Sequence, residues 1–223
     1  PEYMIDEDGA VKEWLTPKLE ENHEHRHCSH LYALYDGLPP EIASDGPLRR
    51  AFLRATERRM EIRKRHEGGD MSFGLVQLGQ AVSSLRNGES SGEILNWLSI
   101  NYWFPNLATT HNPKSVFNMD LSGGFPALIH KMLAFCDEPG VIDLLPACPN
   151  AWSEGTVSGI RCRGGVRVTE LDWNNGHVHV TLRSPTDQTI TLRLPGNIKN
   201  TRSPCLQVSL KANLEFTTHI EYA

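Results

Sequence analysis

The chain has 223 residues, enough to bury the core of one large domain or of two smaller ones. A hydrophobic content of 39% and a charged content of 22% are ordinary for a globular protein. The formal net charge of −5 argues against a general nucleic-acid binder. No apolar run reaches the roughly 18 residues of a membrane span. From the charge and the apolar runs together, we expect neither nucleic acid nor a membrane as a partner.

Helical patterns fill the first part of the chain. Asp8-Gly9 is a turn dipeptide that predicts two short strands within residues 4–15. Ser29 is a plausible N-cap for a helix over residues 31–35, and Asp45-Gly46-Pro47 predicts the start of a longer one. Apolar stripes predict three more helices, at residues 72–85, 91–102 and 122–135. A polar loop containing His111, at residues 108–114, precedes the last helix.

The pattern changes at Glu138-Pro139-Gly140. Short alternating runs parted by turn residues follow, and we predict strands at 141–146, 157–163, 166–173, 177–183, 189–194, 205–210 and 214–221. The prediction is an α then β fold, with a helical domain over 1–138 and a small antiparallel β-sandwich domain over 139–223. Consecutive helix pairs would suit an α/α toroid.

The five cysteines are Cys28, Cys136, Cys148, Cys162 and Cys205. They are widely scattered, odd in number and without a Cys-x-x-Cys pair, so we predict buried thiols rather than a structural zinc site. No signal peptide is recognisable. Because the chain begins with Pro-Glu-Tyr rather than Met, this leaves the compartment open.

Four of the ten histidines fall within eight residues, at His23, His25, His27 and His30, with Arg26 among them. Three interpretations stay open for this group. It could bind a metal if the loop folded suitably, or consist of hydrogen-bonded structural histidines. It could also form a polar site in which imidazole and guanidinium groups donate hydrogen bonds to substrate hydroxyls. The last interpretation is favoured, and we expect no metal or other cofactor.

Asp120 follows an apolar run and precedes a glycine pair and a helix. The simplest interpretation is a helix cap. A general base would instead require a partly desolvated carboxylate that faces a cavity near a second acid. Glu13, next to Trp14, is the other acid that we single out, although a surface position on an edge strand is the favoured interpretation for it. His111 also has a surface interpretation.

Four blocks at these same residues, taken together and in order, resemble the C-terminal part of glycoside hydrolase family 95. They are His-Arg-His-Cys-Ser-His-Leu-Tyr at 25–32, Asn-Met-Asp at 118–120, Leu-Leu-Pro-Ala-Cys-Pro-Asn-Ala-Trp at 144–152 and Gly-Thr-Val-Ser-Gly-Ile-Arg-Cys-Arg-Gly-Gly at 155–165. Members of the family are α-L-fucosidases, and some act on α-L-galactosides. The resemblance implies a catalytic (α/α)6 barrel followed by a small β domain.

The resemblance also implies an inverting hydrolysis of a fucosylated or L-galactosylated glycan. One carboxylic acid protonates the leaving oxygen and a carboxylate activates water, with roughly 6.5–9.5 Å between them. Asp120 occupies the position of the family's base, which Asn side chains assist. His27 and His30 are then the expected sugar contacts. The resemblance also implies Arg26 and His111 as further substrate-binding residues.

Two departures from the family are visible. After the base the family usually has Gly-Asn-Phe-Gly-Gly, whereas this chain has Leu-Ser-Gly-Gly-Phe at 121–125. The family's general acid Glu and its assisting Asn pair lie upstream of every matched block and have no counterpart here, and Glu13 falls in the wrong block to be that acid.

A barrel of this kind needs about twelve helices, and the patterns give five or six. We therefore expect the last part of the barrel, inactive alone, with a missing N-terminal portion or an oligomer covering its open edge. The alternatives are a degenerate carbohydrate-binding protein that lacks the acid and a purely structural assembly domain.

Overall fold

The computed structural model describes residues 2–66, 71–194 and 205–222. Two compact units comprise Pro1–Ile129 and His130–Ala223. The α-helices of the described residues are α1 (Pro40–Ser44), α2 (Gly46–Arg65), α3 (Ser72–Ser84), α4 (Gly88–Asn101) and α5 (Asp120–Leu133). Two 3-10 helices cover Ser29–Leu34 and Arg163–Gly165. The predicted order of helices followed by strands is therefore confirmed. Among the described helices, none has the length and the apolar character of a membrane span.

The predicted start of α2 is confirmed. The Asp45 side chain accepts a hydrogen bond from the backbone N–H of Leu48 at 2.9 Å, and a proline occupies the first turn. Basic residues fill the last turn, where they interact favourably with the helix dipole. The sequence predicts that this helix ends before Gly68 and Gly69, which lie outside the described residues.

Helix α3 is the most buried helix of the N-terminal unit. Its residues are buried nearly all round, as expected for a helix that other elements surround. It packs against α2, α4, the 3-10 helix at Ser29–Leu34 and a short strand at Thr110–Asn112. The backbone that carries the histidines therefore rests on a rigid element.

Several local predictions in this unit need correction. Ser29 lies inside the 3-10 helix, and Cys28 occupies the cap position without a side-chain cap bond. Helix α1 was not predicted, because it has only five residues and begins at the second of two prolines. Helix α4 begins at Gly88, three residues early, because the Asn87 side chain accepts the N–H of Ser90 at 3.1 Å and caps it.

The predicted polar loop before Asp120 is a hairpin. It consists of β1 (Thr110–Asn112) and β2 (Ser115–Phe117), which pair antiparallel. Lys114 has a positive φ of 50°, which lets the chain reverse between the strands. The predicted turn near the N-terminus is also present, as an antiparallel bridge between Ile5 and Val11.

The C-terminal unit contains two sheets. Its strands are β3 (Ala134–Phe135), β4 (Val141–Leu144), β5 (Glu154–Val157), β6 (Ile160–Arg161), β7 (Arg167–Asn174), β8 (His177–Arg183), β9 (Gln188–Arg193), β10 (Cys205–Leu210) and β11 (Glu215–Glu221). One sheet has the order β10-β9-β4-β3, and the other has the order β11-β8-β7-β5, with β6 also paired to β7. The prediction of an antiparallel unit is wrong for one pair, since β4 and β9 run parallel.

The boundaries of one predicted strand and one predicted helix also differ from the prediction. The strand predicted at 157–163 is divided between β5 and β6, because Gly159 has a φ of 82° in the turn between them. The helix predicted at 122–135 begins earlier, at Asp120, and gives way to β3 at Ala134. Cys28 and Cys136 are buried, but Cys148, Cys162 and Cys205 are only partly buried, which corrects the prediction of five buried thiols.

Candidate functional site

The histidine segment, residues 22–30, is held through its backbone. The guanidinium group of Arg59, on α2, donates hydrogen bonds to the carbonyl oxygens of His23, at 3.0 Å, and His25. Arg63, one turn later, donates to the same His25 oxygen at 3.4 Å. Arg59 is 1% exposed. Two buried arginines therefore fix the path of this loop and leave its imidazoles available for other contacts.

Glu13 is the counter-charge of this arrangement. Its Oε2 lies 3.6 Å from Nη2 of Arg59, and its Oε1 lies 3.8 Å from Nδ1 of His25. Its side chain is 7% exposed, and the Glu21 carboxylate accepts its backbone N–H. The predicted surface position of Glu13 is therefore wrong, because an ion pair with a buried arginine holds the carboxylate inside.

His27 and His30 lie at the end of the segment that rests on α3. The His27 ring packs edge-on against His25, with centroids 5.3 Å apart, and against Phe73 of α3 at 5.8 Å. The backbone carbonyl of Arg26, whose side chain is exposed, touches α3 so closely that a Cβ added at Gly74 would lie 2.0 Å from its oxygen.

His30 is half-buried and uncharged at neutral pH. Burial lowers its pKa to about 3, and the nearby charges of Arg59 and His23 act in the same direction. Its Nδ1 is buried without a hydrogen-bond partner in the described part of the chain. Buried polar atoms are nearly always hydrogen-bonded, so this nitrogen is a candidate contact for a ligand hydroxyl.

Asp120 is the first residue of α5 and is exposed. Its Oδ2 accepts a hydrogen bond from Nδ2 of Asn118 at 2.8 Å, and its backbone N–H donates to Oδ1 of the same amide at 2.7 Å. The residue that accepts a backbone N–H at the start of the helix is therefore Asn118. The simple cap interpretation of Asp120 does not describe this geometry.

Asn118 is itself fixed by the hairpin before it. Its backbone N–H donates to the carbonyl of Thr109 at 3.0 Å, and the Thr109 hydroxyl donates to the Asn118 carbonyl. The same hydroxyl lies 2.8 Å from that of Ser122 on α5. The Asp120 carboxylate thus projects from a hydrogen-bonded junction between the hairpin and the helix.

His111 lies on β1, where its Nδ1 is 2.8 Å from Oδ1 of Asn112. The residues between it and Asp120 include three exposed apolar side chains, Val116, Phe117 and Met119, at 64%, 62% and 71% exposure. These side chains flank the carboxylate in sequence.

The structure joins Asp120 to Asn118, and it joins the histidine segment to Glu13 and Arg59. Within residues 2–66, 71–194 and 205–222, no hydrogen bond, ion pair or ring contact links Asp120 to His27, to His30 or to a second carboxylate. In those same residues, groups of three metal-ligating side chains occur in the C-terminal unit and not in the histidine segment.

Glu13, Arg59 and Asn118 were not identified as a supporting set from sequence. A signal for Arg59 was present, since it lies seven residues after Phe52 and four after Ala55 and so continues the apolar stripe of α2. A charged residue at such a position needs a buried partner. The sequence gives no local signal that Glu13 is the acid paired with Arg59, because the two residues are distant in sequence.

Two family models match this chain, one after the other, and both belong to the same family. Residues 1–133 match the model of the glycosyl hydrolase family 95 catalytic domain, and residues 138–222 match the family's C-terminal domain. The chain is 29% identical over 190 residues to alpha-L-fucosidase 2 of Arabidopsis thaliana, a match that covers 80% of this chain and 21% of the relative. It is 26% identical over 184 residues to the probable alpha-fucosidase A of Aspergillus oryzae. This second match covers 75% of this chain and 25% of the relative.

Among solved structures, one match is a GH127 beta-L-arabinofuranosidase from Geobacillus stearothermophilus T6. The alignment covers 99% of this chain and 36% of the arabinofuranosidase chain. The identity is 10% and the TM-score is 0.29, which does not establish a shared fold. The chain spans about a fifth to a quarter of the length of the two fucosidase relatives. The two family models together cover nearly all of its residues. The chain belongs to glycoside hydrolase family 95.

Proposed function

We propose that this chain provides the general base and part of the sugar site of an inverting α-L-fucosidase-like hydrolase. The substrate would be a glycan that carries α-linked L-fucose or L-galactose. Membership of the family supports a glycoside hydrolase, and both curated relatives are named as fucosidases. The helical unit would then be the last part of an (α/α)6 barrel, and the β unit a sandwich that follows it.

The observation that carries this proposal is the hydrogen bond between Asn118 Nδ2 and Asp120 Oδ2, at 2.8 Å. A general base must present a lone pair to the attacking water in a fixed direction. The amide occupies one carboxylate oxygen, so Oδ1 is left to take the proton of that water. Because Asp120 is exposed at a helix start, a sugar and a water molecule can reach it.

The sugar contacts in this proposal are His27, His30, Arg26 and His111. His30 stays neutral at working pH, so its ring can both donate and accept hydrogen bonds, as recognition of a sugar hydroxyl requires. Arg59 and Arg63 bind the carbonyls of the segment and would set the position of these rings without touching the substrate.

We propose that the general acid comes from a part of the barrel outside the matched blocks. In an inverting enzyme the acid and the base are roughly 6.5–9.5 Å apart, with the water between base and sugar. Among the described residues, no second carboxylate forms a hydrogen bond or an ion pair with Asp120. The same part of the barrel would cover the edge that this chain leaves open. Turnover would thus belong to the full-length enzyme.

The test is Asp120→Asn in the full-length enzyme that carries this sequence. We expect kcat on an aryl α-L-fucoside to fall by about 10²–10⁴-fold, the usual contribution of general acid–base catalysis, with the unfolding transition unchanged. Asp187→Asn is the matched control, because it removes an exposed carboxylate in the C-terminal unit. Proton NMR of the first sugar released should show the β anomer, as inversion requires.

Undiminished kcat in Asp120→Asn would disprove the assignment of Asp120. Release of the α anomer would disprove inversion and leave the family membership intact. If the full-length protein binds L-fucose but releases none from any α-L-fucoside, the hydrolase proposal fails in favour of a carbohydrate-binding protein.

A further inference from the structure

The outward face of the five-stranded sheet carries an array of histidines and carboxylates. Along β7, β8 and β11 the inward positions are apolar and buried, at Leu171, Trp173, Val178, Val180, Leu182 and Ile220. The alternate positions face outward, at Glu170, Asp172, His177, His179, His219 and Glu221. The array is thus a consequence of strand alternation and is held on three paired strands.

The register of the sheet places these side chains opposite one another. His177 is paired with Glu221, and His179 is paired with both His219 and Asp172, on its two neighbouring strands. Directly opposed residues on one face of an antiparallel pair have Cβ atoms about 4.5–5.5 Å apart. Side chains from strands distant in sequence therefore converge without any loop needing to move.

Two groups of three potential ligands result. One nitrogen of His177, one of His219 and an oxygen of Glu221 all lie within 4.8 Å of one another, and the same holds for Glu170, Asp172 and His179. In the first group, Nδ1 of His177 is 3.7 Å from the Glu221 carboxylate. The two imidazoles are stacked, with centroids 5.5 Å apart and planes 29° from parallel.

We propose that His177, His219 and Glu221 form a binding site for a divalent transition-metal ion, with Zn²⁺ the best match. Two imidazole nitrogens and one carboxylate oxygen are ligands that zinc accepts at about 2.0–2.2 Å, and water can occupy the fourth position. A metal ion bound by the ring nitrogens would join both imidazoles and the carboxylate at a single positive centre. The surface ion pair between His177 and Glu221 alone contributes only about 0–1 kcal/mol.

Small side-chain rotations suffice to close the site. In a tetrahedral zinc site with bonds near 2.1 Å, the ligand atoms are about 3.4 Å apart, compared with at most 4.8 Å here. All three side chains are at least partly exposed, whereas their backbones are fixed by the sheet. Since β11 is an edge strand of this sheet, a bound ion would clamp it to β8 and stabilise the C-terminal unit.

The experiment is isothermal titration of the tag-free protein with zinc chloride in a buffer that does not bind metal. We expect one saturable site and a higher Tm with zinc. His219→Ala should weaken zinc binding by more than the roughly 10–100-fold that loss of an outer-shell partner costs, and His177→Ala should do the same. His130→Ala removes an exposed histidine of α5 and is the matched control, with affinity unchanged.

Absence of saturable binding in the wild type would overturn the proposal, as would wild-type affinity in His219→Ala. If His179→Ala abolishes binding while His177→Ala and His219→Ala retain it, the ion belongs to the second group and the assignment is wrong. Cobalt(II) titration followed by visible absorption gives a readout independent of heat, and metal-free Tm values show whether each variant folds.

Discussion

The guanidinium of Arg59 and the carboxylate of Glu13 lie 3.6 Å apart with their side chains 1% and 7% exposed. The same guanidinium binds two backbone carbonyls of the histidine segment. One buried cation thus connects helix α2, the N-terminal residues and the loop that carries the proposed sugar contacts.

Arg59→Met should destabilise the N-terminal unit by about 3–5 kcal/mol, the usual cost of leaving one partner of a buried ion pair without its counter-charge. The Glu13 carboxylate would remain buried without its guanidinium, and two carbonyls would lose a donor. The measurement is the free energy of urea unfolding, followed by the helical circular dichroism signal.

Arg58→Met is the matched control for this change. Arg58 neighbours Arg59 on α2, and its side chain is 35% exposed and paired with exposed acids. Its loss should alter the free energy of unfolding by no more than about 0.5 kcal/mol. Equal effects of the two substitutions would show that the burial of Arg59 contributes nothing.

The sequence predicts elements where the signal is local and misses contacts that depend on distant residues. Asp45 and the proline after it predict the start of α2, and alternation predicts the span of β8 and of β10. The hairpin before Asp120 was missed because its strands have three residues each. The parallel pairing of β4 with β9 joins segments that only the folded chain brings together.

The candidate site shows the same division. The sequence identifies His27, His30 and Asp120 as candidates, because they lie in motifs with a recognisable pattern. It does not predict that His30 lies in a buried setting that keeps it neutral, or that Glu13 turns inward. Both follow from the packing of α2 and α3 beneath the loop.

Gly74→Ala should displace the histidine segment. A Cβ at this position would lie 2.0 Å from the backbone oxygen of Arg26, a contact that a side-chain rotation cannot relieve. Overpacking of this kind costs typically about 1–3 kcal/mol. In the full-length enzyme the displacement should also raise KM for the fucoside. Urea unfolding and steady-state kinetics measure the two effects.

Gly123→Ala is the control for Gly74→Ala. Gly123 lies in α5 and has open space where a Cβ would be placed. Replacing glycine by alanine inside a helix stabilises by roughly 0.5–1 kcal/mol, so this variant should be slightly more stable than the wild type. A Gly74 variant that behaves like the Gly123 variant would contradict the close approach of α3 to the segment.

His30 should make stability depend on pH. Its pKa is about 3 in the folded state and near 6.5 in the unfolded chain. Between these values the unfolded state binds a proton that the folded state excludes, so stability falls as pH decreases below about 6.5. Between about pH 7.5 and pH 5.5 the loss from this residue should be roughly 1.4 kcal/mol.

The difference in unfolding free energy between the wild type and His30→Gln, measured by urea unfolding across this range, isolates the contribution of His30. His130→Gln replaces an exposed histidine and should leave the pH dependence of the wild type unchanged. A wild-type and His30→Gln pair with parallel pH profiles would mean that His30 is protonated in the folded protein.

Asn118→Ala in the full-length enzyme should lower kcat by about 10- to 100-fold, the scale of loss from a misplaced catalytic group. The Asn118 amide holds one oxygen of Asp120 at 2.8 Å and binds the backbone N–H of the same residue, so its loss frees the carboxylate to rotate. KM should change little, because no sugar contact is removed. Asn112→Ala, in the same hairpin, removes an amide that contacts His111 and should spare kcat if Asp120 alone is the base.

In the Asp120→Asn background, Asn118→Ala should cause no further loss, since the two residues act as one unit. Additive losses in that double variant would show that Asn118 acts independently of Asp120.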